Sequence, residues 1–164
     1  MSPTIRLRAP TLAGTHEVAA ALAGLSRAGD IILLAGEMGS GKTAFAQGFG
    51  HALGVREPIT SPTFTLVHSY ETEGPTLHHA DLYRLDQLAE VAELALLELA
   101  EDDGIVLVEW GDVVESTFGE HLVVRLDMVA DDPDARGVTI STVGPAWARR
   151  WAPLCDATSD LAVA

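Results

Sequence analysis

The stretch Gly36-Glu37-Met38-Gly39-Ser40-Gly41-Lys42-Thr43 decides how the rest of the chain is read, because it matches the pattern G-x-x-x-x-G-K-[ST] in full. Glycines in such a loop let successive backbone N–H groups turn inward around a phosphate chain, while the Lys brings a compact positive charge and the Thr hydroxyl a magnesium ligand. A short pattern can recur by chance, so its flanks are the test. Ile31-Ile32-Leu33-Leu34 follows Gly29-Asp30 as a continuous apolar run, the pattern of a strand buried on both faces. Beyond the loop, Phe45, Phe49 and Leu53 recur at helical spacing, and Gly54 stands where a helix-stopping glycine belongs. Strand, loop and helix in that order make a bare connecting turn the weaker reading and ATP the expected ligand. Lys42 is also the only lysine in the chain, every other Lys or Arg position being Arg. Surface positions tolerate that exchange, whereas a phosphate loop needs a compact ammonium that a planar guanidinium does not replace.

The 164 residues suit one domain, expected over 1–154, with 155–164 read as a frayed tail. No apolar run approaches the length of a membrane span, and the N-terminus lacks a charged-then-apolar leader layout, so a cytoplasmic protein is expected. Cys155 has no second cysteine to pair with and no histidine beside it, which argues against disulfide or thiol chemistry. The formal net charge of -14 excludes direct nucleic-acid binding as the main activity, because such affinity comes from neutralising phosphates with Lys and Arg. Any RNA connection should therefore pass through partner proteins.

Outward from the loop, Ile5 and Leu7 alternate with Arg6 and Arg8 as an edge strand. Thr15 reads as the N-cap of a first helix carrying Val18, Leu22 and Leu25 on one face. After the second helix, Thr60, Ser61 and Thr63 surround a proline, which fits either a nucleotide-ordered switch segment or an ordinary turn. A hairpin is expected from Phe64–Tyr70 and Thr76–Ala80, ending at Asp81, a carboxylate placed for metal or water work or for a simple turn. His78 and His79 do not form a metal pair, because adjacent strand residues face opposite ways. Asp86 is read as the cap of a helical stretch to about Ala100, followed by Ile105-Val106-Leu107-Val108-Glu109. A buried strand delivering one acid beside the loop is what a magnesium-holding strand requires, although a Glu stands where Asp is usual; the alternative is a core strand leaving at a surface acid. Leu122, Val124, Leu126 and Met128 alternate on one face, Asp131–Gly137 reads as a polar turn, and Val138–Val143 returns as the second strand of an antiparallel hairpin. Trp147 and Trp151 then dock a terminal helix. The fold class expected is α/β, a three-layer P-loop NTPase with a mainly parallel central sheet plus antiparallel hairpins.

Four segments in this order, GEMGSGKT, TSPTFTLVHSY, HADLYRL and IVLVEWGD, resemble the TsaE family, ATPases of bacterial tRNA threonylcarbamoyladenosine synthesis. The resemblance runs from the first helix to the late hairpin. It implies an ATPase, weak alone, working with the TsaD and TsaB proteins and reaching tRNA only through them. It also implies roles for residues. Gly39, Ser40, Gly41, Lys42, Thr43 and Ala44 would hold the phosphates of ATP, and Thr43 and Glu109 would hold Mg2+. Asp81 would lie near the γ-phosphate, orienting water or ordering the metal shell, with Lys42, Asp81 and Glu109 as the catalytic set. Thr60, Ser61 and Thr63 would form the switch-like loop, Thr11 and Arg136 would lie near the nucleotide, and Trp110 would contact or sense a partner. Arg84 would stabilise charge or pair with an acid.

Three other readings compete. A P-loop small-molecule kinase usually needs an arginine-rich lid, and the arginines here are scattered. A GTP switch commonly carries N-K-x-D, and the chain contains no Asn. A scaffold that binds nucleotide without turnover is separated only by assay.

Overall fold

The computed structural model describes residues 2–62, 67–82, 89–109 and 118–163, with the first six residues of the third helix in backbone only. Seven strands form one sheet: β1 (Thr4–Ala9), β2 (Ile31–Ala35), β3 (Val67–Tyr70), β4 (Thr76–Asp81), β5 (Gly104–Glu109), β6 (His121–Val129) and β7 (Asp132–Val143). Their spatial order is β1-β7-β6-β2-β5-β4-β3. The inner four, β6, β2, β5 and β4, pair in parallel, while β7 and β3 join them antiparallel. Helices α1 (Leu12–Leu25), α2 (Lys42–Ala52), α3 (Ala89–Glu101) and α4 (Trp151–Ala157) complete the fold.

The continuous apolar run of β2 is explained by what covers it. Ile32 and Leu34 enter a core with Val18, Leu22, Phe45 and Phe49 of α1 and α2, whereas Ile31 and Leu33 enter a second core with Leu96 and Ala100 of α3. Helices therefore cover both faces, which gives the three layers expected, and successive residues of the central strands are buried in turn.

Several boundaries differ from the sequence reading. The N-cap of α1 is Thr11, not Thr15: Thr11 is extended and its Oγ1 accepts from the Gly14 amide at 3.3 Å, while Thr15 is buried inside the helix. Gly14 lets the first turn pack closely on the entering chain, since a Cβ there would lie 3.1 Å from Cδ of Pro10. The turn of the late hairpin is not Asp131–Gly137. Asp131 takes a left-handed φ of 64°, so the chain reverses there and β7 begins at Asp132, placing Arg136 on a strand opposite Met128 and Ala9. Met128 is 52% exposed, unlike Leu122, Val124 and Leu126 on the same strand, so the alternation does not bury it. Trp147 precedes α4 rather than lying in it.

The C-terminal residues are ordered. A 3-10 turn spans Ser159–Leu161, Leu154 and Thr158 are buried, Ala162 bridges Leu7, and the Val163 amide donates to the Arg6 carbonyl. The apolar residues of this segment are few, but they fall where α1 and β1 leave a surface to cover. Arg150 locks the same region: its guanidinium makes a two-pronged ion pair with Asp30, at 2.6 and 3.0 Å, and lies 3.8 Å over the Trp147 ring. Asp86, Arg84, Trp110 and Thr63 lie outside the described residues.

Candidate functional site

The loop leaves the C-terminal end of β2 at Gly36, whose φ is +148° and where a Cβ would stand 2.5 Å from Ser40 Oγ and 2.6 Å from the Leu126 carbonyl oxygen. Only glycine fits that close approach. Gly41, at φ 104°, caps α2 with no side chain, so the amides of the first helical turn keep their anion-facing end uncovered. Arg136 braces the loop from the far side, donating from Nε to the Ser40 carbonyl at 2.8 Å. It is thus tied to the loop backbone, not among the residues that line the cavity over the loop. Thr11 likewise stands apart from that cavity, just beyond the β1 end where Ala9 pairs with Arg136.

That cavity, about 500 Å³, is lined on the loop side by Met38, Gly39, Gly41, Lys42, Thr43 and Ala44. Ser61, Pro62, Asp81 and Glu109 close it from the sheet side. The convergence follows from register. β4 and β5 run parallel with Asp81 opposite Glu109, both at the strand ends that face the start of α2. The residues two apart on these strands, Leu77 and His79 on β4 and Ile105 and Leu107 on β5, share that face, and Leu77, Ile105 and Leu107 enter the α1–α2 core. The sheet therefore carries its acids out of an apolar layer directly under the loop.

Lys42, only 8% exposed, donates from Nζ to the Gly36 carbonyl at 2.6 Å and to the Glu37 carbonyl at 3.2 Å, curling back over its own loop. Thr43 Oγ1 donates to Glu109 Oε1 at 3.1 Å. Glu109 is 3% exposed, and its other oxygen, Oε2, is 2.7 Å from His79 Nε2, on a ring with no exposure at all. Among the described residues the buried Nδ1 of that ring has no hydrogen-bond partner. As the donor in the bond to Oε2, the ring carries a proton on Nε2. Ser61 Oγ donates to Asp81 Oδ2 at 3.4 Å, and Gln47 Nε2 of α2 holds the Ile59 carbonyl at 3.0 Å, so the segment carrying Thr60 and Ser61 is tied to both β4 and α2.

His78, on the opposite face of β4, belongs to a separate environment. Its Nδ1 lies 2.8 Å from Ser69 Oγ, and its ring packs over Gly104, where a Cβ would come within 2.7 Å of Cδ2. Burial pushes the His78 pKa below its ordinary 6.5, opposed in part by the nearby Asp102 carboxylate. The two histidines do face opposite ways, and among the described residues no three His, Cys, Asp or Glu side chains gather as a metal site by themselves. Oxygen donors that could take part in holding a cation at the cavity include Thr43 Oγ1 and Glu109 Oε1, 3.1 Å apart, with the Asp81 carboxylate and the Ser61 hydroxyl lining the same space. Of the residues singled out from sequence, Lys42, Thr43, Ala44, Ser61, Asp81 and Glu109 line this one cavity, while His79 and Gln47 were given no part. The His79-x-Asp81 spacing, which puts both side chains on one strand face, was the available signal.

A sheet whose central strand feeds a glycine loop and a helix N-terminus, with a lysine, a threonine and two carboxylates gathered over that loop, defines an α/β protein with a polar cavity at the end of its sheet. Comparison with known proteins narrows the class. The family model described as threonylcarbamoyl adenosine biosynthesis protein TsaE matches residues 9–138. The tRNA threonylcarbamoyladenosine biosynthesis protein TsaE of Streptomyces coelicolor is 40% identical over 138 residues, covering 81% of this chain and 93% of that one. The Bacillus subtilis protein of the same name is 34% identical over 146 residues, covering 88% and 87%. The crystal structure of Bacillus subtilis YdiB superposes with a TM-score of 0.72 at 27% identity, covering 98% of this chain and 97% of that one. The chain belongs to the TsaE family.

Proposed function

We propose that this chain is a magnesium-dependent P-loop ATPase that takes part in tRNA threonylcarbamoyladenosine synthesis, working with TsaD and TsaB proteins in the cytoplasm. The observation that carries the proposal is the convergence of Lys42, Thr43 and Glu109 on one cavity over a glycine loop, with Thr43 Oγ1 and Glu109 Oε1 3.1 Å apart. Two hard oxygen donors at that separation suit magnesium, with the remaining positions left for nucleotide oxygens and water. When bound, the metal would neutralise charge on the phosphates.

Phosphoryl transfer to water asks mainly for positioning and charge stabilisation. The loop amides and the N-terminus of α2 would hold the phosphate oxygens, and Lys42 would exchange its carbonyl partners for them. Asp81, bonded to Ser61, would couple the Thr60–Ser61 segment to the γ-phosphate end of the cavity. The acidic surface, with a net charge of -14, supports a tRNA connection that runs through partner proteins. Among the described residues no helix is long and apolar enough to cross a membrane.

Phosphate release from ATP, measured with and without magnesium and with and without TsaD and TsaB, tests the reading. Weak turnover alone, stimulation by the partners and loss in Lys42→Ala are expected. Undiminished hydrolysis by Lys42→Ala would overturn it.

A further inference from the structure

Glu109 has two oxygens and only one of them belongs to the cavity. Oε1 meets Thr43 at 3.1 Å, whereas Oε2 is turned inward onto His79 at 2.7 Å. The inward partner is deliberate in physical terms. A fully buried imidazole among Leu77, Ile105 and Leu107 is an expensive residue for a core, and its Nδ1 finds no partner there. Among the described residues, the one polar contact of this ring is the bond to Glu109. An aliphatic side chain would fill the same layer at lower desolvation cost, so packing does not explain the histidine.

We propose that His79 is a positioning residue: its Nε2–H holds Oε2 of Glu109, fixing the carboxylate rotamer so that Oε1 stays turned toward Thr43 and the metal position. The proposal rests on the reading of Thr43 and Glu109 as the magnesium pair. A ligand carboxylate whose second oxygen is already satisfied needs no reorganisation when the cation arrives, and loss of such an outer partner typically lowers metal affinity about 10–100-fold. Without His79 the buried Oε2 would lack a donor, and the side chain would rotate toward any polar atom within reach, taking Oε1 off Thr43. The neighbouring His78 does not substitute, because its ring lies on the other face of β4 with Ser69.

The test uses Mn2+ as a paramagnetic stand-in for magnesium, titrated by EPR into the full chain saturated with ADP, alongside ADP affinity measured in excess EDTA. His79→Leu should weaken Mn2+ binding by about 10–100-fold while metal-free ADP affinity stays within about threefold of the parent. His79→Gln, whose amide nitrogen reaches the place of Nε2, should restore Mn2+ binding, and His79→Asn, whose amide stops near Nδ1, should not. If His79→Leu fails to fold, the Gln and Asn variants decide alone, being chemically alike and different in reach. Equal Mn2+ affinity in Gln and Asn variants, or parent-like affinity in His79→Leu, overturns the positioning role. If the parent protein itself shows no Mn2+ binding linked to ADP, the magnesium pair falls, and the role of His79 falls with it.

Discussion

Removing the carboxylate of Asp30 should destabilise the protein severely without touching the loop site. Asp30 and Arg150 have side chains only 7% exposed each, and their two-pronged pair at 2.6 and 3.0 Å is supplemented by bonds from Arg150 to the Leu25 and Ala146 carbonyls and from the Arg27 amide to Asp30. Asp30→Ala leaves a guanidinium buried against Trp147 with its counter-charge gone, and breaking a buried pair from one side costs about 3–5 kcal/mol. For a chain of this size each kcal/mol moves Tm by about 2–4 °C, so the midpoint should fall by about 6–20 °C. Arg150→Met should do comparable damage by stranding the carboxylate. The double variant Asp30→Leu with Arg150→Met should recover most of the loss, because replacing both charges with apolar groups of similar volume is often neutral. Urea unfolding of the parent, Asp30→Leu, Arg150→Met and the double variant, followed by circular dichroism, closes the cycle. Asp30 precedes β2 while the glycine loop follows it, so nucleotide affinity of the folded variants should be unchanged. A loss below about 1 kcal/mol in Asp30→Ala, or losses that simply add in the double variant, would refute the reasoning.

Further outcomes follow from the site. Gly36→Ala should lower stability by about 1–3 kcal/mol and nucleotide affinity with it, because the new methyl meets Ser40 Oγ and the fixed Leu126 carbonyl; parent-like melting and calorimetric titration would count against the geometry. Lys42→Arg should bind ATP as poorly as Lys42→Ala, since the guanidinium cannot occupy the space of an ammonium held 2.6 Å from the Gly36 carbonyl. Glu109→Gln should cost at least about 100-fold in turnover yet keep its melting temperature within a few degrees, because a flipped amide can still accept from His79 and donate to Thr43. The His78 pKa is lowered by folding, so the unfolded chain takes up its proton first. The corresponding stability is fully present above pH 6.5 and declines as pH falls below it, and His78→Gln should flatten that part of a urea-midpoint profile between about pH 7 and 5.

The elements that could be read from sequence are those whose cause is local. Ile31–Leu34 announces a doubly buried strand, Gly54 does adopt the left-handed φ of 92° that ends α2, and the alternation in β6 gives its inward face. The start of α1 was placed at Thr15, whereas the cap is Thr11, whose side chain accepts from the Gly14 amide. Arg136 was assigned to a turn because Asp131–Gly137 reads as polar, yet the partner strands β1 and β6 on either side override polarity. Lys42, Thr43 and Glu109 were legible because a motif and a strand end fix them. His79 was missed: its spacing from Asp81 puts both on one strand face, but the β4 against β5 register that brings it to Glu109 is a non-local pairing.

The C-terminal segment that bridges Leu7 and bonds to Arg6 has a consequence for solubility. β1 is the outermost strand on its side of the sheet, and its free row of N–H and C=O groups would otherwise be a template for a strand from another molecule. At the opposite border the outermost strand among the described residues is β3, Val67–Tyr70. Trimming the last ten residues would therefore do more than loosen α4: it would open a lateral surface through which copies of the chain could join edge to edge and precipitate.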